Sequence, residues 1–305
     1  MEEYMNNRLK GYLYVMITMS AWGSTYVVSK FILGSVPPFT LLLLRYMVAA
    51  VVLYIIMMKK GISKVERQDY KYIIFIGFVG YFIGVGAQFV GTQLSNASMA
   101  SLINSTNPIF IVLFAIPILK EKVTISKIIS IAAAVIGAYI IIGGIQGGSM
   151  LIGIIACIIA TATWSLMSVV SKRATEKYNA LTVTTYSIMV AILFTFPISI
   201  YEMATIPDIN LLEPVVILSA LYLGLICTAL AFVLWSKSLS MMEAGICSLF
   251  YPVQPMVSIL LGWLFLKEKM NSSFFIGAML IIAGVMFSIL GGKKEQQSEE
   301  LLLDE

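Results

Sequence analysis

The sequence predicts an all-α membrane protein of ten transmembrane helices, arranged as two five-helix repeats of opposite orientation. Three observations predict it: apolar stretches long enough to cross a bilayer, cations gathered on one side of them, and two internal alignments in the same chain order. The 305 residues are 59% hydrophobic and 12% charged, with a mean hydropathy of +0.94. A soluble domain carries about 25% charged residues. Lipid removes the need for a polar exterior.

A helix needs about 20 apolar residues to cross a hydrocarbon core of about 30 Å. Such stretches run over 11–32, 37–58, 72–93, 97–119, 126–144, 149–171, 179–201, 214–236, 244–266 and 273–292. The links between them are short, as in a bundle of antiparallel neighbours. The first stretch follows Arg8 and Lys10 but is too long for a signal peptide and has no convincing cleavage site, so it reads as a transmembrane helix. The polar tail 293–305 carries no assigned function.

Orientation follows from the cations. With the N-terminus inside, the inside segments hold Arg8 and Lys10; Lys59, Lys60, Lys64, Arg67 and Lys71; Lys120, Lys122 and Lys127; Lys172, Arg173 and Lys177; Lys237; and Lys293 and Lys294. Only Lys30, Lys267 and Lys269 fall outside, and Arg45 lies within the second span. Both termini are therefore expected in the cytoplasm, in a multi-pass protein of the cell membrane.

The repeat explains the exceptions. "WGSTYVVSK" at 22–30 matches "WSLMSVVSK" at 164–172, and "MVAAVVL" at 47–53 matches "MVAILFT" at 189–195, both at an offset of 142. "NPIFIVLFAIPILKEK" at 107–122 matches "QPMVSILLGWLFLKEK" at 254–269 at an offset of 147. Five spans per copy invert the second copy across the membrane. Lys30, Lys267 and Lys269 then become outward copies of Lys172, Lys120 and Lys122. The expected units are 1–146 and 147–292, followed by the tail 293–305.

A Trp-bearing first helix and a Pro…Lys-Glu-Lys fourth helix, in both copies and in order, make the chain resemble the EamA family of the drug/metabolite transporter superfamily over about residues 10–292. The resemblance implies a bundle with a central substrate cavity between the halves, alternating access, and often export of amino acids or other metabolites. Importers and organelle carriers belong to the same family, so direction does not follow from it.

The residues themselves point to the midplane, where inverted-repeat carriers bind their solutes. Asn104 and Asn107 share a helix face, and their repeat counterparts are Tyr251 and Gln254. Pro108 and Pro255 follow, and each frees the carbonyl four residues earlier, at Asn104 and Tyr251. The prolines are candidate hinges and the four polar residues candidate substrate ligands. The alternative is that the amides join helices and the prolines only kink them.

Trp22 with Thr25, and Trp164 with Ser168, lie mid-span and offer aromatic walls with polar neighbours; helix packing is the alternative. Gln88 aligns with Trp235, and Tyr81 sits about two turns before Gln88 on a similar face. Thr228, about two turns before Trp235, is a minor candidate. The glycines of "GFVGYFIGVGAQFVG" read as permitting close helix approach. Arg45 could attract an anionic group, but its place nearer the outer end favours snorkelling outward.

No histidine is present, which excludes His-based catalysis and His metal sites. Cys157, Cys227 and Cys247 lie in apolar runs and read as small buried hydrophobes, without a disulfide framework. No carboxylate enters a span, so proton coupling has no visible carrier, and a facilitator or exchanger also fits. No phosphate-binding G-x-x-x-x-G-K-[ST] loop occurs. The expectation is a non-enzymatic transporter without cofactor or metal. Its partners would be a small-molecule substrate and the lipid bilayer, with no nucleic acid; homo-oligomer formation stays open. A non-transporting receptor or assembly factor is the main alternative, and a membrane-embedded enzyme a weaker one, since it lacks a base near any nucleophile.

Overall fold

Large apolar side chains lie exposed on the outside of this molecule, while hydroxyls, amides and one guanidinium are buried among the apolar side chains of its inside. The computed structural model describes residues 2–61, 64–119, 148–206, 209–248 and 250–268, with isolated helical positions between 128 and 140 and between 272 and 287. Most of the fifth expected span, the Lys120–Lys122 segment, Lys269 and the tail fall outside the described residues. Leu193, Leu218 and Phe265 are each about two-thirds exposed, at 70%, 67% and 68%. Thr18, Thr25, Ser165, Ser168, Thr228 and Gln254 are buried. Such a surface is stable only against lipid, and the protein is a multi-pass membrane protein.

The described residues are helical, with no strand among them. They form α1 (Glu2–Ile32), α2 (Pro38–Lys60), α3 (Tyr70–Phe75), α4 (Val85–Leu94), α5 (Ala97–Asn104) and α6 (Asn107–Leu119). After these come α7 (Gly148–Thr175), α8 (Ala180–Thr205), α9 (Pro214–Gly224), α10 (Ala231–Met241), α11 (Ala244–Ser248) and α12 (Val253–Leu261). Three π-helical segments, Ile76–Gly84, Leu225–Leu230 and Gly262–Leu266, continue α3, α9 and α12.

Taken as continuous rods, seven helices among the described residues are long and apolar enough to cross a membrane: Pro38–Lys60, Arg67–Leu94, Ala97–Leu119, Ser149–Thr175, Ala180–Thr205, Pro214–Met241 and Ala244–Leu266. The 31-residue α1 is not among them, because Thr18, Ser20, Ser24 and Thr25 dilute its apolar character. A shorter apolar helix spans Phe275–Gly284.

The packing partners repeat. α1 lies mainly against α10 and α12, while α7 lies against α4, α5 and α6. α2 and α8 pack on each other. The first helix of each sequence copy thus seats on the third and fourth helices of the other copy. Glycine permits one of these approaches: a Cβ at Gly23 of α1 would stand 2.7 Å from the Gln254 carbonyl oxygen of α12.

Helix ends are closed by side chains from neighbouring helices. Lys30 Nζ donates to the carbonyls of Thr92, Gln93 and Ser95 at 3.1, 2.8 and 2.6 Å, capping α4. Its repeat counterpart Lys172 donates to Leu239 and Met242 at 3.4 and 2.8 Å, capping α10. Both lysines are half-buried. At α5, the Glu268 carboxylate accepts from Ala97 N and Ser98 N at 2.8 and 3.1 Å, a negative group on a helix N-terminus. Glu202 does the same at α2, accepting from Phe39 N and Thr40 N at 3.1 and 2.7 Å.

Candidate functional site

The two broken rods, α5–α6 and α11–α12, meet the two tryptophan helices, α1 and α7, at the centre of the bundle. The break before α6 follows from Pro108, which has no N–H for the Asn104 carbonyl. Asn107 Nδ2 takes that bond at 2.6 Å and also reaches Asn104 Oδ1 at 2.7 Å. Ser165 Oγ donates to Asn107 Oδ1 at 2.6 Å, and Thr161 Oγ1 to Asn104 Oδ1 at 3.2 Å. Before Pro255 the backbone itself tightens, with Gln254 N donating to Tyr251 O at 3.0 Å. The expectation that each proline frees a carbonyl therefore meets two local solutions, one from a side chain and one from the main chain.

Within the first copy Asn104 Nδ2 donates to the Tyr26 hydroxyl, and across the halves Gln254 Oε1 accepts from that hydroxyl at 3.4 Å and from Asn104 Nδ2 at 3.5 Å. The repeat-related tryptophans touch: the Trp22 and Trp164 ring centroids lie 5.1 Å apart, edge to face. Phe232 stands 5.9 Å from Trp22 and 5.3 Å from Trp164. Trp22 Nε1 donates to the Cys227 carbonyl at 3.1 Å, and Trp164 Nε1 to the Tyr251 hydroxyl at 2.8 Å.

Between these groups runs a narrow cavity with about 310 Å³ of atom-free space, its mouth included. Trp22, Thr25, Tyr26, Arg45, Val85, Gln88, Asn104, Trp164, Phe232 and Gln254 line it. Six of the sequence candidates are therefore brought together: Trp22, Thr25, Gln88, Asn104, Trp164 and Gln254. Tyr81, Asn107, Ser168, Trp235 and Tyr251 are buried beside the cavity without lining it. Trp235 Nε1 donates to Ser168 Oγ at 3.3 Å, and the Tyr81 ring packs on Phe232 at 4.6 Å. These five support the wall rather than face the space.

Arg45 corrects the sequence reading. It does not snorkel; it is 1% exposed and points into the bundle. Its Nε donates to Thr228 Oγ1 at 2.7 Å and its Nη2 to the Cys227 carbonyl at 3.4 Å. The rings of Phe89, Tyr46 and Phe232 lie 5.2, 5.8 and 5.8 Å from its guanidinium carbon. The acceptors belong to the π-helical segment Leu225–Leu230, whose irregular turn leaves carbonyls free for side chains.

Tyr26, Val85 and Phe232 were missed: Val85 and Phe232 sit in ordinary apolar runs, and Tyr26 was passed over beside Trp22 and Thr25. Tyr26 carried one usable signal: it lies four residues after Trp22, on the same helix face.

The EamA-like transporter family model matches residues 9–143 and again 151–290. The chain belongs to that family. The two matches are the two copies seen in the repeat. This EamA protein is 27% identical over 304 residues to the uncharacterized transporter YetK of Bacillus subtilis (strain 168), covering 96% of this chain and 90% of that one. It is 25% identical over 289 residues to a probable terminal-alkyne amino-acid exporter of Streptantibioticus cattleyicolor, covering 92% and 95%. A protein of known crystal structure, 19% identical, matches with a TM-score of 0.71 over 95% of this chain and 99% of that one, which establishes a shared fold.

Proposed function

We propose that this EamA protein is a secondary transporter that exports small organic metabolites, amino acids or related compounds, across the cytoplasmic membrane by alternating access. One observation carries the reading: the central cavity is lined by both sequence copies, with Trp22, Gln88 and Asn104 from the first and Trp164, Phe232 and Gln254 from the second. A solute held there touches both halves, so rocking one against the other changes the side to which it is exposed. The amino-acid exporter among the relatives supports the solute class.

In this reading ten spans form two inverted units, 1–146 and 147–292, with both termini in the cytoplasm, and the exchanged packing of α1 and α7 supports the inversion. Pro108 and Pro255 are the hinges, since each interrupts a rod at matching repeat positions.

The test is efflux from liposomes reconstituted with the purified protein and loaded with an amino-acid mixture. Faster loss of particular solutes than from empty liposomes is expected, with Gln254→Leu slowing it. Binding without flux would favour a receptor. Orientation has its own test: Lys64→Cys should resist an impermeant thiol reagent in intact cells, and rapid labelling would reverse the assignment.

A further inference from the structure

We infer that Arg45 is the anchor for a carboxylate on the transported solute, so that the cavity takes small monoanionic or zwitterionic compounds with an apolar or aromatic body. The inference rests on the transporter reading above and names its substrate class.

A guanidinium out of water is costly unless acceptors or opposite charge surround it. Among the described residues, no carboxylate lies within ion-pair distance of Arg45; the ion pairs there join Lys177 to Glu66 and Asp69 at the surface. The guanidinium has five N–H groups, yet among the described residues its hydrogen bonds run only from Nε and Nη2. Nη1 makes none to the described residues, and Arg45 is a wall of the cavity. Thr228, itself donating to the Leu223 carbonyl at 2.7 Å, fixes one edge of the fork. The remaining donors match the geometry of a carboxylate.

The rest of the wall identifies the remainder of the solute. Trp22, Trp164 and Phe232 offer aromatic faces and edges, while Gln88, Asn104 and Gln254 offer amides. A single fixed cation balances one negative charge. A phosphate dianion would leave a second charge uncompensated among aromatic rings, which argues for the carboxylate.

The test reads tryptophan fluorescence of the purified full-length protein, using Trp22 and Trp164 as reporters, against pairs of non-absorbing probes that differ at one group. The pairs are 4-methylpentanoate with 4-methylpentanamide and L-leucine with L-leucinol. The wild type is expected to respond to each carboxylate at a concentration about tenfold or more below its neutral or alcohol partner, the scale of one charge-assisted contact. Arg45→Lys narrows that preference, and Arg45→Gln abolishes it while leaving the response to the amide. Equal responses within each pair in the wild type overturn the inference, as does a preference that survives in Arg45→Gln. Should Arg45→Gln fail to fold, the wild type and Arg45→Lys decide by the same criterion. A response to inorganic phosphate at lower concentration than to either carboxylate overturns the monoanion assignment. Carboxylate preference without flux in liposomes defeats the transporter reading and leaves the anion site standing; flux without preference does the reverse.

Discussion

The two copies of the repeat place different chemistry at equivalent positions. Arg45 in α2 corresponds to Ser187 in α8 at the offset of 142. Arg45 reaches Thr228 and the cavity, whereas Ser187 Oγ donates to the Ile73 carbonyl at 3.2 Å and faces only protein. Likewise Gly23 corresponds to Ser165, and Gln254 to Asn107. The first copy's glycine lets α1 approach the Gln254 backbone, while the second copy's serine donates to the Asn107 side chain. At the Arg45 and Ser187 position the side chains make only one of the two copies charged.

That asymmetry can be broken experimentally. The largest effect is expected at Arg45: alanine there should lower flux by about tenfold or more, equivalent to about 1.4 kcal/mol or more of lost solute binding. Ser187→Ala should stay within about twofold, having removed only a side-chain to main-chain bond. Equal losses in liposome efflux would mean the charge serves the scaffold alone.

Next comes the close approach. Gly23→Val puts a side chain where a Cβ already meets Gln254 O at 2.7 Å, and overpacking of this kind costs about 1–3 kcal/mol. A lower yield of monodisperse protein after heating is expected. Gly34→Ala, with no atom within 4 Å of its added Cβ, serves as the silent control. Ser165→Ala sharpens the comparison from the other copy: it removes the donor to Asn107 and should cost about 1 kcal/mol in thermal stability without abolishing flux.

The smallest effect lies outside the bundle. Lys177 bridges Glu66 at 2.9 Å and Asp69 at 2.8 Å. Hydrogen bonding to Lys177, and then to Gln68, holds the Glu66 carboxyl below its usual range, while bonds to Asp69 and Glu66 raise the Lys177 ammonium. A lowered carboxylate stabilises above its unfolded pKa and loses that contribution as pH falls through the folded value. A raised ammonium stabilises below its unfolded pKa and loses it as pH rises through the folded one. Both contributions are present at neutral pH. Lys177→Met should flatten the acid and alkaline shoulders of the stability profile only slightly, because exposed pairs are screened; a large change near pH 7 would contradict this.

Much of the site was legible beforehand because lipid makes polarity informative. A tryptophan mid-span, paired amides and a proline at matching registers stand out in an apolar chain, and Trp22, Asn104, Trp164 and Gln254 do meet around one cavity. Asn107 was harder, since its amide looks like a ligand yet serves the carbonyl that Pro108 leaves open. Val85 and Phe232 carried no signal, because a wall residue and a packing residue have the same composition.

By itself the sequence determined that this chain lives in lipid, that it contains two related copies, and which positions correspond between them; apolar length and self-alignment suffice for that. Only the tertiary structure decided how each helix is rotated about its own axis. In a bilayer protein the exterior is as apolar as the core, so hydropathy along a helix does not reveal its inward face. Packing of α2 against α8 and the π-helical segment after α9 turned Arg45 inward, and that rotation put a charge in the cavity.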